Sequence, residues 1–142
     1  MRSDRWPAIG THSPPSTAVA STPDGKVWTF HLRRGVACHG GTGELTSADV
    51  KYSFDRYMTD PTSTFKARYT DIDKIETPDA NTIVLTLKKP SAVFLKSLNT
   101  ASVVIISKKQ FNGAADPSIV SVTTPLGSGP FKFKEWVKGD HI

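Results

Sequence analysis

The sequence predicts an α+β fold: a small mixed sheet with hairpins, packed with two or three short helices. Three observations support this class. Apolar and polar residues alternate in Lys26–Arg33 and in Thr82–Lys88, as they do in half-buried strands. After Thr46 the apolar residues recur at helical spacing instead. Strands and helices are mixed without a regular βαβ repeat, and a chain of 142 residues fits one compact domain.

Residues 1–22 are predicted to form a tail or an extended arm. Large apolar side chains are scarce in this segment, which is interrupted by Pro7, Pro14 and Pro15. Proline fixes φ and lacks a backbone N–H, so a central strand or a helix is disfavoured here. The compact unit is therefore expected to span residues 23–142.

The first predicted strand covers Lys26–Arg33 and follows the turn-forming residues Pro23–Gly25. One of its faces is apolar, so the strand is expected to be half-buried, and Gly35 should end it. The apolar face carries Trp28, Phe30 and Leu32.

A helix is predicted to begin after Thr46, which can act as its N-cap. Asp49 lies three residues later and can complete a capping box, and its charge suits the positive end of the helix dipole. Pro61 should stop the helix at or before Asp60. The helix has one apolar stripe, formed by Val50, Phe54, Tyr57 and Met58.

A β-hairpin is predicted from the strands Tyr69–Thr77 and Thr82–Lys88. The connecting residues 78–81 are rich in turn formers. Ile72 and Ile75 are three residues apart, which breaks the strict alternation of a strand and indicates a bulge or a later strand start.

Four further elements are predicted in the last third of the chain. They are a short helix after Pro90-Ser91, a buried strand over Ala101–Ser107, a helical turn over Lys108–Phe111 and, after a loop over 124–130, a last strand over Phe131–Val137.

Composition narrows the class of protein. No apolar run approaches the roughly 18 residues that a membrane-spanning helix needs, and the first residues lack the apolar core of a signal peptide. The net charge of +5 leaves a small nucleic-acid or anionic-surface binder as an alternative. The basic residues are spread out, however, and their densest groups are pairs such as Arg33-Arg34, whereas a nucleic-acid footprint is clustered.

Cys38 and His39 are the residues with the most reactive chemistry. Together with His31 they form the one cluster resembling a metal site, but zinc sites take three or four ligands and a second cysteine is absent. A hydrolase using Cys38 and His39 stays a second alternative. Neighbouring residues on an extended chain point to opposite sides, which disfavours a nucleophile–base pair. No catalytic, metal-binding or cofactor-binding residue is assigned.

Three segments in order resemble the family 5 extracellular solute-binding proteins of ABC importers, the dipeptide-, oligopeptide- and nickel-binding type. The first is DGKVWTFHLRRGV followed by LTSADVKYSFDR, beginning at Asp24. The second is DIDKIETPDANTIVLTLKKPSAVFL, beginning at Asp71, and the third is PLGSGPFKFKEW, beginning at Pro125. The resemblance covers about 22–142 and implies an N-terminal fragment, since such receptors are several times longer.

The resemblance implies a function and a place in the cell. Residues 23–142 would form a small accessory subdomain of a periplasmic binding protein, while the solute is held elsewhere. The full-length protein would capture a peptide or another small solute, deliver it to an ABC permease in the membrane, and act in the periplasm or at the cell surface. No enzymatic activity, no cofactor and no nucleic-acid partner are expected, and the solute is left open.

Overall fold

The computed structural model describes residues 16–61, 63, 66–98, 105–111, 126–129, 131–137 and 139–140. The strands are β1 (Ser16–Ser21), β2 (Val27–Leu32), β3 (Ala37–Cys38), β4 (Gly43–Glu44), β5 (Ile72–Asp79) and β6 (Thr82–Leu87). The helices are α1 (Ser47–Thr59) and α2 (Phe94–Leu98), and single 3₁₀ turns cover His39–Gly41, Lys66–Arg68 and Lys108–Phe111. Strands and helices are mixed, so the α+β class is confirmed.

Four strands form one sheet in the order β1-β2-β6-β5. Each described pairing is antiparallel, so the sheet is antiparallel where a mixed one was predicted. β1 lies at one edge and belongs to the predicted arm 1–22. Its six residues, STAVAS, contain neither proline nor charge, and an edge position suits them because they supply few large side chains for a core. The rest of the arm lies outside the described residues.

The apolar face of β2 packs as predicted. Trp28 and Leu32 are buried and Phe30 is partly buried, whereas His31 on the other face is exposed. Trp28 Nε1–H donates to the carbonyl of Gly25 at 3.0 Å, and the Trp28 ring lies 5.9 Å from the ring of Phe94 on α2. A buried indole therefore has its polar group satisfied and brings α2 onto the sheet.

Helix α1 begins and ends where the sequence predicts. Thr46 is the N-cap, the capping box with Asp49 is formed, and Asp60 is the C-cap. Val50 and Phe54 are buried against the sheet, while the other two members of the stripe are partly buried. The helix thus covers one face of β5 and β6.

The hairpin β5–β6 is confirmed, with a later start than predicted. The segment at Tyr69 is turn-like rather than extended, because the N–H of Ile72 donates to the carbonyl of Tyr69 at 3.1 Å. Ile72 and Ile75 are both buried despite their three-residue spacing. The register shifts between Ile72 and Lys74, which is the irregularity that the spacing predicts.

Two predicted strands differ in the structure. In Ala101–Ser107 the described residues 105–107 lie in no strand, and the rest lies outside the described residues. In Phe131–Val137 only Val137 makes a bridge, and residues 131–136 have no regular structure. Alternating apolar residues show which face of a strand would be buried, but they do not identify the strand with which it would pair. A segment forms a strand only when another backbone exchanges hydrogen bonds with it.

The other short elements follow the sequence more closely. The helix predicted after Pro90-Ser91 is α2, and Lys108–Phe111 forms the predicted turn. Within the described residues, no helix has both the length and the apolar character needed to cross a bilayer.

Candidate functional site

The corner between β2 and α1 carries the reactive residues singled out in the sequence. The short hairpin β3–β4 turns through Gly40, whose φ of +70° is a left-handed value that favours glycine. A Cβ on Gly40 would also lie 2.9 Å from the side chain of Leu126. The corner is therefore packed closely against residues 126–129, which are distant in sequence.

Asp49 links the corner to another distant segment. One carboxylate oxygen accepts from the backbone N–H and the hydroxyl of Thr46, at 2.8 and 2.7 Å. The other oxygen accepts from the backbone N–H of Lys108 at 2.7 Å. Asp49 is only 5% exposed. A buried carboxylate with three donors is satisfied by hydrogen bonds and acts as a structural group.

One turn further along α1, Ser53 continues this connection. Its hydroxyl donates to the carbonyl of Asp49 at 2.8 Å and accepts from the N–H of Ile106 at 3.0 Å. The backbone of residues 106–108 is thus held by two side chains of α1. This pairing explains why the described end of the predicted strand Ala101–Ser107 is not extended into a ladder.

Cys38 is poorly suited to nucleophilic catalysis. It is a free thiol and is buried. Burial raises the pKa of the Cys38 thiol, and the nearby Asp49 carboxylate raises it further. An activated cysteine has a lowered pKa instead. These surroundings keep the thiol protonated at neutral pH.

His39 is occupied by the 126–129 segment. Its ring Nε2–H donates to the carbonyl of Gly129 at 2.9 Å, and its backbone N–H donates to the carbonyl of Gly127 at 2.8 Å. Nε2 therefore bears a proton and is engaged by a carbonyl, and the Cys38 thiol is hydrogen-bonded to Thr42 and Ser107. His39 acts as a clasp between the corner and this segment.

The three residues of the considered metal cluster are not brought together as a site. Within the described part of the chain, no group of three or more His, Cys, Asp or Glu side chains could hold a metal ion. His31 lies instead near Thr82, whose hydroxyl is 3.4 Å from His31 Nδ1.

An open groove of about 370 Å³ lies beside β2 and the β5–β6 turn. Its charges are of both signs. The backbone N–H of Asn81 lowers the pKa of Asp79, so this carboxylate stays ionised beside Arg34. The groove is lined by His31, Leu32, Arg34, Asp79, Asn81 and Thr82. Small-molecule sites are usually enclosed and mostly apolar, and this groove is neither.

The protein-family comparison decides the identity of the chain. The family described as bacterial extracellular solute-binding proteins, family 5, matches residues 15–142. The chain belongs to this family. The resemblance read from the three sequence segments is thereby confirmed.

Several binding proteins are similar to this family 5 chain over a comparable region. The dipeptide-binding protein of Escherichia coli K12 is 32% identical over 139 residues, covering 84% of this chain and 26% of that protein. Among solved structures, the PBP AgaA of A. tumefaciens R10 in complex with agropinic acid has a TM-score of 0.78 at 38% identity. That match covers 88% of this chain and 25% of the other.

A second solved structure adds a peptide-bound relative. It is the ABC transporter-associated periplasmic binding protein DppA from Helicobacter pylori in complex with peptide STSA, with a TM-score of 0.76 and 32% identity. It is matched over 88% of this chain and 28% of its own length. This family 5 chain thus spans about a quarter of the length of the relatives it matches.

Sequence reasoning missed the two contacts that hold the corner of this family 5 protein. The sequence predicts Asp49 as a capping residue but not as a partner of Lys108, and it offers His39 as a base or a metal ligand but not as a contact to residues 126–129. Their partners lie 59 and 90 residues away, and no local pattern encodes such a distance. The nearest signal was Gly127 and Gly129, which indicate a tight approach of backbone.

Proposed function

We propose that this chain forms an accessory subdomain of a receptor that captures a peptide or another small solute for an ABC permease. The observation that carries the proposal is the family match over residues 15–142 combined with a length about a quarter of the relatives. In this proposal residues 23–142 act as scaffold. The solute is held by parts of the receptor that the relatives possess outside the matched region.

The contents of the groove support a scaffold role. It is open and lined mainly by polar side chains, so a bound peptide would stay largely in water. Binding proteins usually exclude water from a solute by closing two lobes over it. The described residues supply one wall at most.

The proposal includes a location outside the cytoplasm and excludes catalysis. Relatives described as periplasmic support the location. Burial raises the pKa of the Cys38 thiol, and the thiol is hydrogen-bonded to Thr42 and Ser107; both observations speak against a hydrolase. Neither a cofactor nor a nucleic-acid partner forms part of the proposed role.

Two calorimetric titrations test the proposal. Alanyl-alanine is titrated into the 142-residue chain, and into a chimera in which residues 15–142 replace the matched quarter of the E. coli dipeptide-binding protein. We expect no heat of binding from the chain alone up to about 1 mM, because a scaffold offers no enclosed site. We expect the chimera to bind within about tenfold of its parent.

The groove provides a matched control for the chimera. Arg34→Ala and Asn81→Ala remove two of its polar side chains, and the affinity of the chimera for the dipeptide should not change. Sub-micromolar binding by the chain alone would show that it holds its own solute site. A folded chimera that no longer binds the dipeptide would argue equally against the scaffold role.

A further inference from the structure

The loop after β6 and the start of α2 form one exposed segment, 88–96, in which lysines flank apolar side chains. Residues 80–115 contain five lysines and no acidic residue. Val93 is 69% exposed and Leu95 is 37% exposed. The three lysines of the segment, all exposed, are Lys88, Lys89 and Lys96. Exposed cations and apolar side chains left in water are the two features with which proteins bind to anionic membrane surfaces.

The segment is anchored to the sheet, so its outward side chains are held in place. Phe94 of α2 is buried, and its ring lies 5.9 Å from that of Trp28. The N–H of Ser91 donates to the carbonyl of Gly25 at 3.2 Å, and the same carbonyl accepts from Trp28 Nε1–H at 3.0 Å. Phe94 thus fixes the segment while its two neighbours in sequence stay in water. A surface that is already ordered loses little conformational entropy on binding, which favours association.

The lysines of the segment carry charge that carboxylates do not neutralise. Among the described residues, no ion pair involves Lys89 or Lys96. Lys88 Nζ donates to the backbone carbonyl of Thr70 at 2.6 Å, which is a neutral partner. Each of the three lysines therefore presents its positive charge at the surface.

Two aspartates lie in the chain segments that contact this loop. The carboxylate of Asp24 accepts from the N–H of Lys26 at 3.1 Å, within its own turn. The backbone carbonyl of Asp71 accepts from the N–H of Lys88 at 2.8 Å. Together with Lys26, the three lysines of the segment outnumber these two aspartates, so this part of the surface is positive.

We propose that segment 88–96 docks this protein on an anionic phospholipid bilayer. A bilayer offers both partners at once, since its phosphates attract the lysines and the apolar layer beneath them receives the exposed valine and leucine. An acidic protein surface would match the lysines but not the apolar pair. The attachment is weak and depends on salt, because only about three lysines act together. The site goes beyond the solute role, although a receptor that serves a membrane permease would work beside such a surface.

Co-sedimentation with vesicles tests the proposal on the 142-residue chain at about 0.1 M salt, where charges are screened over about 10 Å. The vesicles contain phosphatidylcholine with about 30% phosphatidylglycerol, and phosphatidylcholine alone serves as the neutral comparison. Lys89→Ser with Lys96→Ser removes two charges from the segment. Arg33→Ser with Arg34→Ser removes two charges at the opposite end of β2, so both variants have the same net charge. Val93→Ser removes the more exposed apolar side chain.

We expect the natural chain to bind the anionic vesicles at least about tenfold more tightly than the neutral ones. The lysine pair should lower that binding by about tenfold or more, because each lysine near an anionic surface contributes roughly fivefold. Val93→Ser should lower it by about threefold. The arginine pair should lower it by less than about twofold, since the length of β2, about 20 Å, separates it from the segment. Equal losses in the lysine and arginine pairs would show that only net charge acts and would overturn the proposal.

Further measurements decide the cases in which a variant loses its fold or another partner binds. Val93→Trp adds bulk at an exposed position and should strengthen vesicle binding by about threefold or more, because tryptophan favours the membrane interface. An unchanged affinity would contradict insertion. A polyglutamate peptide that binds through Lys89 and Lys96, without any binding of vesicles, would assign the segment to an acidic polypeptide instead.

The chimera with the E. coli dipeptide-binding protein tests the segment in a receptor of full length. The lysine pair should weaken vesicle binding by the chimera as it does in the chain alone. A chimera that does not bind the anionic vesicles would show that the segment is covered in such a receptor, and the proposal would fail. Dipeptide binding by the chimera is measured separately, so the lipid site and the solute role can each be refuted without the other.

Discussion

At the scale of single residues, the side chains with reactive chemistry are buried or hydrogen-bonded to distant parts of the chain. Asp49 is 5% exposed, and its carboxylate accepts three hydrogen bonds. The ring of His39 donates to the carbonyl of Gly129. Cys38 is buried beside Asp49, and both burial and that charge raise the pKa of its thiol. The adjacent Cys38 and His39 thus have separate hydrogen-bond partners, Thr42 and Ser107 for the thiol and Gly129 for the ring. The surroundings that decide their chemistry come from other segments.

The thiol of Cys38 gives a prediction for stability against pH. Its folded-state pKa is raised above the ordinary value of 9.0, so its contribution to stability is fully present below pH 9.0 and is lost as pH rises through the folded pKa. We expect the free energy of unfolding to fall more steeply above pH 9 in the natural chain than in Cys38→Ala. Urea unfolding at several pH values between 7 and 10 measures this difference.

Thiol chemistry provides an independent check on Cys38. Ellman's reagent should react with the folded chain at pH 8 at least about tenfold more slowly than with an unfolded sample, because the thiolate is the reactive form and the side chain is buried. In the pH series, burial also raises the pKa of the Tyr69 hydroxyl. Tyr69 is present in both the natural chain and Cys38→Ala, so its contribution cancels when their unfolding free energies are compared. A fast-reacting Cys38, or parallel pH curves, would contradict the surroundings described for this thiol.

At the scale of elements, local chemistry predicted what local interactions build. The capping box at Thr46 and Asp49, the end of α1 at Asp60 and the register shift between Ile72 and Lys74 all follow from spacing within one element. The last strand failed because its alternation required a partner backbone that the sequence does not identify. The contact of Asp49 with Lys108 was likewise beyond prediction, since 59 residues separate the two.

Asp49 and Ser53 hold residues 106–108 against α1. The contribution of this contact to stability can be tested by Asp49→Asn. The amide keeps the shape but loses the charge and one acceptor that serve the N–H groups of Thr46 and Lys108. We expect a loss of about 1–3 kcal/mol in the free energy of unfolding, from the cap and from a buried donor left unpaired. Urea denaturation followed by circular dichroism measures it.

The control for this contact lies on the same helix. Asp55→Asn removes an exposed i,i+4 ion pair with Lys51, at 3.1 Å, and should cost less than about 0.5 kcal/mol. An equal loss of unfolding free energy in both aspartate variants would contradict the prediction. It would show that the loss comes from the charge on α1 and not from the buried hydrogen bonds of Asp49.

At the scale of the whole molecule, the same antiparallel sheet and covering helix recur in relatives whose solutes differ. The matched proteins include one bound to agropinic acid and one bound to a peptide, and each is about four times as long as the matched region. A fold shared among different ligands is expected when specificity lies elsewhere. The fold class could be predicted from the alternation and helical spacing of apolar residues, whereas no such pattern in these residues specifies a solute.

The whole-molecule charge yields the last prediction, which separates the receptor role from the nucleic-acid alternative. The net charge of +5 is distributed in small groups, so few phosphates can be contacted at once. We expect a 20-base-pair duplex to bind the chain no more tightly than about 10 μM at 150 mM salt, within the range of non-specific binding.

Arg33→Ser with Arg34→Ser, at the most basic corner, should alter this weak affinity by less than about threefold. Fluorescence anisotropy at 50 and 150 mM salt measures both. A sub-micromolar affinity at 150 mM salt that falls steeply with salt and depends on Arg33 and Arg34 would establish a nucleic-acid surface and displace the scaffold proposal.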